Sequence, residues 1–189
     1  MPAAKRISKE AIIDAAEAVL RTGGFEAINA RSVAKALGCS TQPIYLTFRN
    51  MEELKSALTQ RAIEQHTRRV RASLRAHEGC DSRYSSYGMG FVQFAAQEKQ
   101  LFRWLYLEDN QPGRHQEDVL EPEIIRTVMD EFGYDEVTAR AFHRDMTYYS
   151  YGLAILANTG HLALTETELR EAFRREFRAP VSYTHLTLP

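Results

Sequence analysis

The chain has 189 residues, 44% hydrophobic and 26% charged, the composition of an ordinary water-soluble globular protein. Its apolar stretches, such as Tyr151–Ala157, are far shorter than the roughly 18 residues of a membrane span. The N-terminal Lys5, Arg6 and Lys9 meet Glu10 and Asp14 rather than an apolar run, so a secretory leader is not expected and a cytoplasmic location is the default. The formal net charge of −1 conceals an asymmetry: residues 1–76 carry 13 Lys+Arg against 7 Asp+Glu, and the remainder 11 against 18. A basic first part makes a polyanion a candidate partner there.

Helical periodicity runs through the chain, and no segment shows a sustained alternation of two. Ser8 is placed to cap a helix carrying Ile12, Ala16, Val19 and Leu20 on one face, ended by Gly23-Gly24. Asn29 is the next cap, before a short helix Ala30–Leu37 with Val33, Ala34 and Leu37 inward. Gly38 follows it, and Cys39-Ser40 makes a turn. A third short helix is expected over about Thr41–Phe48, with Pro43 in its first turn, where a missing N–H costs least. Asn50 and Glu53 have capping-box spacing and open a long helix of about Met51–Arg75.

After a break marked by Gly79 and Asp81, helices are expected at Arg83–Gln97 and Gln100–Glu108, both rich in aromatics. Asp109–Asp118 reads as a loop. Pro122 starts a further helix that Gly133 ends, and helices of about Asp135–Asn158 and Glu166–Arg178 follow. The last nine residues, VSYTHLTLP, break the register and resemble translated cloning sequence, so a non-native tail is expected over residues 181–189. The fold class is all-α, with a three-helix N-terminal domain over residues 1–50 and a helical bundle over 51–180.

Two short helices joined by a tight turn are the ingredients of a helix-turn-helix, which needs a small residue at the contact and apolar residues to fix the crossing. Ala34 is the small residue, Gly38 permits the turn, and Val33, Leu37, Ile44 and Phe48 are the apolar set. Thr41, Gln42, Tyr45, Leu46 and Thr47 remain outward, and no acidic residue occurs from Asn29 to Met51. On composition alone, an ordinary three-helix cluster with a polar face fits equally well.

The stretch GGFEAINARSVAKALGCSTQPIYLTFRNMEEL resembles the signature of the TetR family of transcriptional regulators over about residues 8–55. Gly24-Phe25, Ala34, Leu37-Gly38, Ser40, Ile44-Tyr45, Phe48, Asn50 and Glu52-Glu53-Leu54 sit where that pattern wants them. The resemblance implies a ligand-responsive regulator, a repressor more often than an activator, that binds a palindromic DNA operator as a homodimer. It implies roles as well. Asn29 would cap the second helix near a phosphate, and Arg31 would project toward a base edge such as guanine. Ser40, Thr41, Gln42 and Pro43 would lie at the major groove, and Tyr45 and Thr47 would contact the backbone. Lys5 and Arg6 would form a basic arm reaching neighbouring phosphates or the minor groove. The family often has Lys where this chain has Met51, and Lys55 one turn on is the expected replacement.

The family also implies an effector pocket in the bundle, for which Phe91, Phe94, Phe102, Trp104, Tyr106, Tyr148, Tyr149 and Tyr151 are the aromatic candidates. The last two long helices resemble the family's dimerisation pair, with Gly152, Ala154, Ala157 and Gly160 permitting close approach. No metal site is expected: the histidines are scattered, and Glu108, Asp109 and His115 in one loop make no convincing ligand set. Cys39 and Cys80 read as idle thiols. No nucleophile, base and orienting group share a recognisable context, so neither catalysis nor a cofactor is expected. The alternative is a helical small-molecule-binding protein that has lost DNA binding, which Met51 would favour.

Overall fold

The computed structural model describes residues 7–75, 82–108 and 120–183, without the side chains of residue 75 and of 178–183. Among the described residues there are nine α-helices and no strand, and no helix is long and apolar enough to cross a membrane. Two compact units divide them, the first holding residues 7–65 and 98–108 and the second the rest.

The first unit starts with α1 (Lys9–Gly23), whose N-cap Ser8 accepts a hydrogen bond from the Ala11 N–H at 3.1 Å. Gly24, at φ +73°, closes it. After a single 3-10 turn at Phe25–Ala27 come α2 (Ala30–Leu37), α3 (Gln42–Thr47) and the start of α4 (Met51–Arg75). Ile12, Ala16, Leu20, Val33, Ile44, Phe48, Leu54 and Leu58 are almost wholly removed from water and form the core. α3 is shorter than expected at each end: Thr41 is its N-cap and Phe48 its C-cap.

The compact unit does not end at residue 50. The first part of α4 belongs to it, and so does α6 (Lys99–Tyr106), because Leu101, Phe102 and Trp104 are buried in its core. The Trp104 indole N–H donates to the Thr59 hydroxyl at 3.0 Å, and its ring lies 5.2 Å from that of Phe25. Arg21 ties α1 to this element through Glu98.

The second unit is built on α5 (Arg83–Gln97), which packs against α7 (Glu121–Phe132), α8 (Glu136–Thr159) and α9 (Glu166–Tyr183). The first N–H groups of α5 have no partner within the helix. The Glu131 carboxylate of α7 accepts from two of them, Arg83 at 2.8 Å and Tyr84 at 3.2 Å. At the other end the buried Asn158 amide of α8 donates to the Ala95 carbonyl at 2.9 Å. α8 starts at its N-cap Asp135, which accepts from Thr138 N–H at 2.8 Å, and this bond holds the Asp135 carboxyl below its ordinary pKa.

α9 runs past its expected end. Helical backbone continues beyond Arg178 and through Pro180 to Tyr183, although the pyrrolidine ring forfeits one backbone donor there. Three residues of the segment expected to break the register are therefore helical. Residues 184–189, the loop at Asp109–Asp118 and the break at Gly79 and Asp81 lie outside the described residues, as do Cys80, His77 and His115.

Candidate nucleic-acid interface and apolar cavity

Two caps and one glycine set the geometry of α2 and α3. The Asn29 carboxamide oxygen accepts from the N–H groups of Arg31 (3.1 Å) and Ser32 (3.0 Å), and the Ser32 hydroxyl accepts from Asn29 N–H at 3.1 Å. This reciprocal capping box satisfies donors that the first helical turn would otherwise leave to solvent. It also occupies the Asn29 side chain, whose NH2 donates to the Ala27 carbonyl at 3.2 Å. Gly38 takes the left-handed conformation at φ +66°, which an L side chain reaches only at a cost. Its turn is closed by Cys39 N–H on the Ala34 carbonyl at 3.0 Å.

On α3, Ile44 and Phe48 are 1% exposed and hold the helix down. Gln42, Tyr45 and Leu46 face solvent, with Tyr45 54% and Leu46 79% exposed. Arg31 and Lys35 on α2 and Ser40 in the turn are exposed too, and neither Arg31 nor Lys35 makes an ion pair among the described residues. Thr41 and Pro43 are half-buried, and the half-buried Thr47 donates its hydroxyl to the Pro43 carbonyl at 3.0 Å. These residues lie on α2, the turn and α3 in succession, and the sequence from Asn29 to Met51 contains no acidic residue.

The Lys55 ammonium lies 3.1 Å from Glu52 and 5.0 Å from the centroid of the Phe25 ring, with the side chain 21% exposed. Arg49, not anticipated, is 88% exposed and only loosely paired with Glu53 at 3.2 Å. Its position next to the Asn50 cap was the available signal. Glu53 receives the Arg49 N–H at 2.8 Å, one residue earlier than a capping box requires, and this bond lowers the Glu53 pKa. Lys5 and Arg6 lie outside the described residues.

The second unit holds a partly open cavity of about 20 Å3 between α5, α8 and α9. Tyr84, Tyr87, Phe91, Tyr151 and Phe173 supply rings, Met146 a thioether, and Thr147 and Ser150 hydroxyls; no charged side chain lines it among the described residues. Gly88 lets α9 come close, since a Cβ there would sit 2.5 Å from the Phe173 ring. The Tyr84 hydroxyl is 2.9 Å from His143 Nδ1, and burial pushes the phenol well above its ordinary pKa. Space of this size holds about one water.

Of the aromatic residues expected at a ligand site, Phe91 and Tyr151 line this cavity. Phe102, Trp104 and Tyr106 belong to the first unit because α6 packs there. Phe94 is buried against His66, ring centroids 4.6 Å apart. Tyr148 points away from the core at 68% exposure, and Tyr149 meets Phe173 edge-on from outside the cavity lining. The other seven lining residues, Tyr84, Tyr87, Gly88, Met146, Thr147, Ser150 and Phe173, were not anticipated.

The outer face of α8 exposes Tyr148, Gly152, Ile155 and Leu156. Ala154, expected at a contact between copies, is fully buried in its own unit. Gly160 serves as a left-handed C-cap at φ +81°. On α9 the exposed described side chains are polar, among them Glu171, Arg174 and Arg175, so of the two helices expected to pair between copies only α8 exposes large apolar side chains.

Among the described residues no group of three or more His, Cys, Asp and Glu could hold a metal ion. Residues 12–58 match the model of the bacterial regulatory proteins, tetR family. No curated protein matches the sequence. Solved structures do share the fold. A protein of unknown function from Rhodococcus sp. RHA1 is 19% identical with a TM-score of 0.70, covering 93% of this chain and 94% of its own. The fatty acid degradation regulator FadR from Bacillus halodurans is 19% identical with a TM-score of 0.56, covering 89% and 95%. NalD, the secondary repressor of the MexAB-OprM multidrug efflux pump in Pseudomonas aeruginosa, is 18% identical with a TM-score of 0.50, covering 90% and 93%.

Proposed function

We propose that the chain, whose residues 12–58 match the model of the tetR family of bacterial regulatory proteins, is a ligand-responsive repressor that binds a palindromic DNA operator as a homodimer. The observation that carries this reading is the outward face of α3. Its Gln42, Tyr45 and Leu46 are exposed on a helix anchored by Ile44 and Phe48, beside the unpaired Arg31 and Lys35. In the complex α3 enters the major groove. Gln42 pairs with adenine N6/N7 and Arg31 with guanine O6/N7, while Ser40, Thr41 and Pro43 line the groove. Tyr45 and Thr47 hold phosphates, as do Lys5 and Arg6 ahead of α1. These backbone contacts position the protein without reading sequence.

The exposed Tyr148, Gly152, Ile155 and Leu156 of α8 form the centre of the dimer contact, which sets the two reading helices about one turn of DNA apart, roughly 34–36 Å. The effector is an uncharged, largely apolar molecule, since the described part of the cavity lining offers rings, a thioether and hydroxyls but no counter-charge. With room for about one water, the cavity must widen to admit it, so the effector binds an expanded state at the expense of the narrow one. α4, part of which belongs to each unit, carries the change to the reading helix. Coupling of about 1–3 kcal/mol is typical of such linkage. The repressor role follows NalD, whose own role is repression.

Selection of bound sequences from a random DNA pool, followed by mobility shifts in a salt titration, tests the reading. An enriched palindrome whose affinity falls steeply with salt, with a log–log slope of about −0.9 per neutralised phosphate, is the expected result. Failure to enrich any sequence would refute it.

A further inference from the structure

Leu46 is, with Val137, the most exposed large apolar side chain among the described residues, at 79%. It occupies the helix proposed to lie in the major groove, so this inference rests on that reading. Gln42 and Leu46 are four residues apart, which places them on the same side of α3. Ile44 and Phe48, by contrast, are 1% exposed and point into the core. The anchoring of α3 therefore owes little to Leu46, and a polar residue there would leave the core intact. Leucine at such a position leaves its apolar surface available to a partner outside the unit.

The major groove presents hydrogen-bonding edges on every base pair and one apolar group, the C5 methyl of thymine. We propose that Leu46 reads that methyl group, making it a specificity-determining residue beside Gln42. Four residues of helix advance about 6 Å, and successive base pairs are about 3.4 Å apart. The thymine thus lies within about two base pairs of the position that Gln42 reads. A 5-methylcytosine at the same place offers the same methyl group and satisfies Leu46 equally.

The test uses the full chain and the duplex it selects from a random pool, with each thymine replaced in turn by deoxyuridine. That exchange removes the methyl and leaves every hydrogen-bonding group in place. Replacement at one thymine per half-site weakens binding by about fourfold, the effect of withdrawing one buried methyl from its contact, and replacement at other thymines changes it less than twofold. With Leu46→Ala the sensitivity at that position disappears, while the salt slope is unchanged because no phosphate contact is lost. Uniform indifference to deoxyuridine, or an L46A variant as sensitive as the parent, overturns the methyl contact and leaves the DNA-binding reading standing. A chain that selects no duplex at all overturns both.

Discussion

His66 gives the second unit a pH-dependent stability whose sign and size follow from its surroundings. The imidazole is 8% exposed and meets the Phe94 ring edge-on at 4.6 Å and 87°, and that of Phe91 at 6.0 Å and 69°. Burial, and secondarily the charge of Arg69 one turn on, lowers its pKa from 6.5 to about 4. Between those values the unfolded chain takes up a proton that the folded chain refuses. Stability is therefore complete above pH 6.5, falls as the pH drops below it, and stops falling through this group near pH 4. The gap corresponds to roughly 3 kcal/mol, a large share of a typical 5–15 kcal/mol domain stability. Urea unfolding followed by circular dichroism at pH 7, 6, 5 and 4.5 measures it, for the parent and for His66→Gln. Carboxylates titrate in the same range but are common to both chains, so the difference between the two curves isolates the imidazole. The parent should lose about 1.4 kcal/mol per pH unit relative to the variant through the middle of the window. A difference that stays flat from pH 7 to 4.5 would show that the folded chain accepts the proton and that the burial argument fails.

Thr59→Val removes the acceptor of the buried Trp104 indole N–H and should destabilise the first unit by about 1–3 kcal/mol; an unchanged urea midpoint would mean the indole has another partner. Gly88→Ala improves helix propensity by about 1 kcal/mol but drives a methyl into the Phe173 ring, for an overpacking cost of about 1–3 kcal/mol. A lower melting temperature is expected, and a higher one would show that α9 yields freely. Gln42→Ala should relax base preference at one operator position per half-site by about 1–3 kcal/mol, whereas Tyr45→Phe should weaken specific and non-specific complexes alike. A mobility-shift series over single-base operator variants separates the two, and equal losses on every sequence for Gln42→Ala would place that residue on the backbone side.

The N-terminal helices were legible because each of their determinants is local. Ser8, Asn29 and Asn50 act on N–H groups no more than three residues away, and Gly38 answers a requirement of its own backbone torsion. Caps and left-handed glycines leave marks at fixed spacing, so helix starts at Lys9, Ala30 and Met51 could be read directly. The outward set on α3 followed from the positions of Ile44 and Phe48. Lys55 could not be placed that way, because its partner Phe25 is thirty residues distant and belongs to another element.

The cavity was far less legible, and the reason is physical. An aromatic ring at helical spacing looks the same whether it packs in a core, lines a cavity or faces solvent. The eight rings first considered divide among all three: Trp104 in the first unit's core, Phe91 at the cavity and Tyr148 on the exposed face of α8. What locates the cavity is a helix-to-helix distance, and the residue that sets it carries no side chain. Gly88 admits the Phe173 ring where any Cβ would exclude it, and Gly90 similarly admits Ser73, whose hydroxyl would lie 2.8 Å from a Cβ. Two glycines in the middle of a fifteen-residue helix are costly in backbone entropy, and a helix that retains them is expected to use the closeness they allow. Gly88 was thus the readable trace of the cavity, and the rings around it acquire their roles only once that approach is known.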